Sequence, residues 1–378
     1  MSGPLHGIKV VEIAGIGPGP HACMILADLG AEVIRIDRPG GHPLLAHPQT
    51  DLLNRGRPSA ALDLKNPAAA EVILRLVAQA EILVEGMRPG VAERLGFGPE
   101  DCHAVNPRLV YGRMTGWGQE GPLAHSAGHD MNYISIAGAL HGLGQDPARP
   151  SFPSNLLGDF GGGSTYLVIG LLAALLEARG SGQGQVVDAA IVDGTAHLNT
   201  MASAMLAGGL LREQRAANLL DGGAPFYDLY ETADGRHLSV GALEPQFFAE
   251  LVRLLELPED APGQADLGRY DELRALIAER IASRTLAEWS KIFEGTDACA
   301  APVLTLAEAA EHPHLVARGT FVEHAGVVQP APAPRFSRTP AALTTPPPVA
   351  GAQTTEALAA WGIEDVGALI ESGVAVQT

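Results

Sequence analysis

The stretch VVEIAGIGPGPHACMILADLGAEVIRID, residues 10–37, decides the fold class. VVEIA is a continuous apolar run suited to a buried strand, HACMILADLG has helical spacing, and EVIRID reads as the next strand. Strand, glycine-rich turn, helix and strand together open a doubly wound parallel sheet. The turn itself, GIGPGP at 15–20, departs from the dinucleotide fingerprint, which needs a glycine at its sixth position so that the helix can pack closely on the strand. Here that position is Pro20, and the glycines are Gly15, Gly17 and Gly19. Asp37, at the end of EVIRID, does stand about 20 residues beyond, the distance of a ribose-binding carboxylate. Two readings stay open at this point, a plain strand-to-helix turn and an NAD site that would serve an oxidoreductase.

The alternation continues outward. Helical PAAAEVILRLVAQA, strand-like EILVEG and strand-like PRLVYGRMTG extend the Rossmann-like beginning, and a further helix is expected around residues 160–178. After the turn signal GSGQGQ, the segment VVDAAIVDGTAHLNTMASAMLAGG fits a helical period. Beyond about residue 225 the texture changes: YDLYETADGRHLSVGAL predicts a hairpin turning at Ala233-Asp234-Gly235, followed by helices around FFAELVRLLEL and YDELRALIAERIAS. A smaller α+β domain is expected there. Prolines at 330, 332, 334, 340 and 346–348 mark an extended segment able to run back over the first domain. The expected division is a large domain over 1–187, linker helices over 188–226, a small domain over 227–312, a linker over 313–332 and a returning segment over 333–378.

Composition narrows the functional classes. The chain has 378 residues, 46% hydrophobic and 18% charged, as an ordinary globular protein does. Its longest apolar run, YLVIGLLAALL, reads as a core helix, so no membrane association and a cytoplasmic location are expected. A net charge of −18 argues against nucleic acid as a partner. The charge is uneven: residues 1–115 hold 11 Lys+Arg against 12 Asp+Glu, the remainder 14 against 31, which favours the N-terminal domain for an anionic ligand. Cys23, Cys102 and Cys299 lack disulfide or zinc spacing, and His312 and His314 have no third ligand spaced to join them.

Three acid–base candidates lie in or beside turns: His129 in SAGHDMNY, Asp159 in NLLGDFGGGS and Glu244 in VGALEPQF. Taken singly, each is better explained as an exposed loop histidine, a helix cap and a surface acid. Asp159 stands out because Gly161, Gly162 and Gly163 follow it, and bare backbone N–H groups there would suit a developing oxyanion. No P-loop or G-x-S-x-G elbow is present.

The segments VVEIAGIGPGPHACMILADLGAEVIRIDRPG, EGMRPGVAERLGFGPEDC, RMTGWGQEGPLAHSAGHDMNY, LLGDFGGGS, GQVVDAAIVDG and NLLDGGAPFYDLYETADGRHLSVGALEPQF resemble the α-methylacyl-CoA racemases of the family III CoA-transferase superfamily. The resemblance runs to about residue 339; the stretch 40–58 and the C-terminal tail fit loosely. It implies that the Rossmann-like domain binds coenzyme A instead of a dinucleotide. Matching positions imply that Arg38, Lys65, Arg88 and Arg94 surround the CoA nucleotide and its phosphates, with Gly128, Asp130 and Tyr133 near the thioester arm. The resemblance also implies an interlocked homodimer with each site between the large domain of one subunit and the small domain of the other. Transferases of this family use the aspartate matching Asp159 as a nucleophile; racemases add a histidine at the position of His129. His129 and Asp159 would then exchange protons on opposite faces of C2, with Glu244 holding the histidine from the other subunit. The implied reaction is interconversion of (2R)- and (2S)-2-methylacyl-CoA, as in breakdown of branched-chain fatty acids or sterol side chains. CoA is part of the substrate there, so no metal or separate cofactor is expected. CoA transfer is the first alternative; a non-catalytic CoA-binding protein leaves the joint presence of His129, Asp159 and Glu244 unexplained.

Overall fold

The computed structural model describes residues 3–41 and 47–378, so part of the loosely matching 40–58 stretch lies outside the described residues. The chain divides into two compact units, one comprising Met1–Ala137, Pro153–Asn199 and His314–Thr378, the other Gly138–Phe152 and Thr200–Pro313.

The first unit is built on strands and helices that follow one another as the N-terminal sequence predicts: β1 (Lys9–Ile13), α1 (Pro18–Asp28), β2 (Glu32–Asp37), β3 (Ser59–Leu62), α2 (Ala68–Val77), β4 (Ile82–Glu85), α3 (Val91–Leu95), α4 (Pro99–Val105) and β5 (Val110–Thr115). Then come α5 (Asp130–Ile136), a π-helix over Leu156–Ser164, α6 (Thr165–Ser181), β6 (Val186–Ala190) and α7 (Ile191–Leu198). The strands lie side by side in the order β3-β2-β1-β4-β5-β6, all parallel, and the short strand Ala375–Val376 pairs antiparallel outside β3. This is the order of a doubly wound sheet, in which ligands settle beyond the carboxyl ends of the strands where the order reverses. That reversal falls between β1 and β4.

Strand alternation sends each β1 side chain to a defined face. Val11 and Ile13 join Ile34, Ile36 and Leu62 in the core under α2, while Val10 joins Val33, Ile82, Val110 and the apolar face of α1. Glu12 shares the face of Val10 and is buried with it. It is tolerated there because two guanidinium groups meet it: Arg35 Nη1 at 2.5 Å and Arg57 Nη1 at 2.9 Å. Arg35 also reaches Asp37 at 3.2 Å, and Asp37 accepts a 2.6 Å hydrogen bond from the Ser59 hydroxyl.

The segment after GSGQGQ corrects the helical expectation. Val186–Ala190 is strand β6, pairing parallel with β5 in the register Tyr111↔Val186, and only from Ile191 does the chain turn helical. The β-branched pair Val186-Val187 and an unpaired edge on β5 outweigh the helical period of so short a run. The expected helix around 160–178 is present but longer. The π-helix and α6 form one helical stretch, Leu156–Ser181, which by length and mean hydropathy (1.5) is long and apolar enough to cross a membrane. Leu167, Leu171, Ala174, Leu175 and Ala178 pack it on the sheet, as a core helix packs, and a Cβ at Gly112 would stand 2.8 Å from Leu171.

The second unit carries the hairpin, Tyr227–Glu231 with His237–Gly241, extended by Ala300–Pro302 into a three-stranded antiparallel sheet. Gly235 takes φ +72° in its turn, as the reading of Ala233-Asp234-Gly235 requires. Trp289, Leu238, Leu251, Leu273 and Ile277 form its core.

Candidate active site

The GIGPGP turn is where the parallel sheet meets the chemistry. Gly17 caps α1 with φ +72° and ψ −115°, a conformation reserved for glycine, and Pro18 opens the helix. Of the first three helical residues, Pro18, Gly19 and Pro20, only Gly19 carries an N–H, and the next, His21, donates its N–H to the Gly17 carbonyl. The cradle of free N–H groups on which a pyrophosphate rests in dinucleotide folds is therefore mostly missing. Asp37, the other half of the NAD reading, is engaged by Arg35 and Ser59 inside the protein. What Gly17 accommodates instead is a carboxylate: a Cβ on it would stand 3.3 Å from Asp159 Oδ2. Gly17→Ala therefore combines a backbone conformation closed to residues with a Cβ, costing about 1–3 kcal/mol, with displacement of that carboxylate. Thermal melts should show the stability loss, and kcat should fall by about 10²-fold if Asp159 moves by roughly 1 Å.

Asp159 sits near the middle of the π-helix, half-buried, with Asn155 Nδ2 donating to Oδ2 at 3.3 Å. Burial raises its pKa above the usual carboxylate value, the Asn155 hydrogen bond lowers it, Asp130 raises it and His129 lowers it. His129 is thus within electrostatic reach of Asp159. It precedes α5 as an exposed N-cap residue with extended backbone, and its N–H donates to Asn132 Oδ1 at 3.1 Å. The side chain of Asp130 is buried and accepts the Asp159 N–H at 2.6 Å.

That last bond corrects the expected oxyanion site, because the Asp159 N–H is already committed to Asp130. The three glycines serve packing inside the π-helix. A Cβ at Gly162 would stand 2.5 Å from Thr195 Oγ1, one at Gly163 3.1 Å from Ile191, and one at Gly194 1.9 Å from the Gly162 carbonyl, so the glycines let α7 cross the π-helix in near-backbone contact. Asp159 is likewise no N-cap; Asn155 occupies that position. Gly128 and Tyr133 are joined, the Tyr133 hydroxyl donating to the Gly128 carbonyl. The Tyr133 ring is wedged against Trp117, edge to face at 4.8 Å, and a Cβ at Gly116 or Gly128 would collide with it at 2.0 and 2.7 Å. Its placement holds the turn that carries His129.

The four basic candidates stand at the carboxyl ends of the parallel strands: Arg38 directly after β2, Lys65 three residues after β3, Arg88 three after β4, and Arg94 in α3. All four are exposed, and none makes an ion pair among the described residues. A cavity of about 270 Å³ opens between Gly15, Ile16, Gly17, Asp37, Gly40 and Gly41, on the same rim. Glu244 belongs to the second unit, exposed at the N-cap of the helix Pro245–Leu254, and with burial it pushes the Cys299 thiol upward.

His21, Ser164 and Phe160 escaped the sequence reading. His21 Nδ1 lies 2.6 Å from Ser164 Oγ, whose hydroxyl donates to the Phe160 carbonyl at 3.0 Å, and the His21 ring packs on Phe160 at 4.4 Å. With the serine proton so used, Nδ1–H must be the donor. Burial, then Arg55 and Arg57, lower the His21 pKa and favour the neutral ring. The spacing of these residues carries no signal; only the α1–π-helix contact makes them a unit.

Residues 5–354 match CoA-transferase family III. The chain belongs to CoA-transferase family III. Within that family it is 44% identical over 361 residues to the α-methylacyl-CoA racemase of Mus musculus, covering 95% of this chain and 93% of that one. It is also 44% identical over 339 residues to the α-methylacyl-CoA racemase of Homo sapiens, covering 89% and 87%. A CAIB/BAIF family protein from Brucella suis has the same fold, with a TM-score of 0.82 at 28% identity over 96% of this chain and 100% of that one. The family III fold thus accounts for the parallel sheet, as the sequence resemblance implied.

Proposed function

We propose that this chain interconverts the (2R) and (2S) epimers of 2-methylacyl-CoA thioesters by two-base proton transfer at C2. The observation that carries the reading is the pair His129 and Asp159 on adjoining elements of one unit, coupled electrostatically in a chain 44% identical to α-methylacyl-CoA racemases. One base, starting ionised or neutral, removes the C2 proton; the other, starting protonated, delivers a proton to the opposite face of the planar enolate. Turnover leaves the two with exchanged proton states, so the direction of reaction decides which begins as acid. Asp159 is suited to the alternation because burial raises its pKa, so it holds a proton more readily than an exposed carboxylate, as a group that must act as both base and acid requires. The thioester supplies the electron sink, so the step as written consumes no redox equivalent.

Arg38, Lys65, Arg88 and Arg94 would take the nucleotide and phosphates of CoA. Their support is position: exposed cations that form no ion pair among the described residues, three just beyond strand ends and Arg94 in α3, in an otherwise acidic chain. Glu244 would steady the His129 imidazolium across an interlocked homodimer. In favour of association, α6 leaves Ile169 and Leu176 exposed on its outer side, apolar surface suited to a second chain.

The test is incubation of one 2-methylacyl-CoA epimer in deuterated water with no acyl acceptor. Epimerisation with deuterium appearing at C2 is the expected result. CoA transfer to an added carboxylate, with no C2 exchange, would make Asp159 a nucleophile and the protein a transferase.

A further inference from the structure

We propose that Asp130 is the positioning residue that sets the span between the two bases. The inference rests on the racemase reading of His129 and Asp159. Asp130 follows His129 directly, so their Cα atoms are tied at about 3.8 Å, and through its side chain it holds the other base, accepting the Asp159 N–H at 2.6 Å. One residue therefore joins the two groups that must face each other across C2. The join is built into the fold. Asp130 is only 6% exposed, and a Cβ at residue 158 would stand 2.4 Å from its Oδ1, so the carboxylate reaches the π-helix because Gly158 leaves the space. Asp130 Oδ2 is buried without a hydrogen-bond partner, and no cation pairs with the residue among the described residues. The side chain is thus committed to the Asp159 backbone and not to a charge pair.

Its charge has a second consequence. The π-helix that carries Asp159 is packed by α1, α5, α6, α7, β5 and β6, whose titratable groups are His21, Cys23 and Asp28 on α1, His129, Asp130 and Tyr133 at α5, Tyr166, Glu177 and Arg179 on α6, Asp193 and His197 on α7, Tyr111 and Arg113 on β5, and Asp188 on β6. Of these, Asp130 raises the Asp159 pKa and His129 lowers it. Removing the Asp130 charge while keeping an acceptor oxygen should therefore move Asp159 toward easier ionisation.

The experiment measures racemisation from each epimer, with full pH profiles, for Asp130→Asn and Asp130→Ala beside Asp159→Asn and His129→Ala. Asp130→Ala, which loses the acceptor, is expected to lower kcat from both epimers by about 10²-fold, the effect of roughly 1 Å of misplacement. Asp130→Asn retains a carbonyl for the Asp159 N–H and should keep most of kcat. In the direction where Asp159 is the base, the acid limb of its kcat/KM profile should move to lower pH. If Asp130→Ala does not fold, that shift in Asp130→Asn decides alone. Wild-type kcat in Asp130→Ala, or collapsed kcat with an unmoved acid limb in Asp130→Asn, with Asp159→Asn and His129→Ala both inactive, overturns the positioning role and leaves the racemase reading standing. Racemisation that survives in Asp159→Asn and His129→Ala overturns that reading and the inference with it.

Discussion

Glu12→Ala is expected to destabilise the protein by about 3–5 kcal/mol, the cost of leaving buried charge uncompensated. Glu12 is 1% exposed and meets both Arg35 and Arg57, whose side chains are nearly or wholly buried. Alanine would strand both guanidinium groups, and Asp37, itself shared with Ser59, can answer only Arg35. The damage should not stay local. Arg57 also donates to the Pro20 carbonyl at 2.9 Å, so the network braces the first turn of α1, the turn against which Asp159 lies. Urea denaturation at constant m-value gives the measurement. A loss below about 1 kcal/mol would mean that water reaches the network and screens it as it screens surface pairs. An isosteric apolar replacement of the whole network is a different experiment, since removing all its charges together need not destabilise at all.

This network also shows where the sequence is readable. Val10, Val11 and Ile13 announce a buried strand by composition alone, and the alternating texture of the first 115 residues is enough for a parallel sheet. Asp37 was legible as a conspicuous acid at the end of β2 but not as a structural one, because Ser59 becomes its neighbour only once β2 and β3 pair, and Arg35, two residues back on the same face, is drawn inward with it by Glu12 on β1. The same limit hid β6: five residues with a mixed pattern become a strand because β5 offers an open edge, which is a property of the sheet.

At the site, residue types were legible and their roles were not. GHD and GDFGGG stand out in the sequence, but a glycine run fits a bare anion site and a close helix crossing equally well. The crossing is what forms, with Gly194 against the Gly162 carbonyl. A π-helix is equally invisible, since its i→i+5 ladder leaves no period in nine residues. It matters for function because it places Asp159 against Gly17 on one side and against Asp130 on the other. The proline pair in GIGPGP, which spoils a phosphate nest, is compatible with a carboxylate neighbour that takes its hydrogen bond from Asn155 instead.

His129→Ala is expected to make the reaction one-sided. In a two-base site each group serves one face of C2, so losing the imidazole should stop abstraction from the face it serves and abolish racemisation, by about 10²–10⁴-fold for a general acid–base group. Asp159 remains in its half-buried pocket, and burial still raises its proton affinity. It should therefore continue to remove and return the proton on its own face. Incubated separately in deuterated water, one epimer should gain deuterium at C2 with retention of configuration, while the other stays unlabelled. Asp159→Asn should give the mirror result through His129, slowed further if the amide disturbs the turn at Gly17. The two variants together distinguish the chemistries more sharply than activity alone. A transferase using Asp159 as nucleophile would tolerate His129→Ala, lose everything with Asp159→Asn, and yield an aspartyl thioester or anhydride that hydroxylamine traps in the wild type. Equal labelling of both epimers by His129→Ala would refute the assignment of one base to each face, since a single carboxylate fixed beside Gly17 cannot reach both sides of a bound enolate.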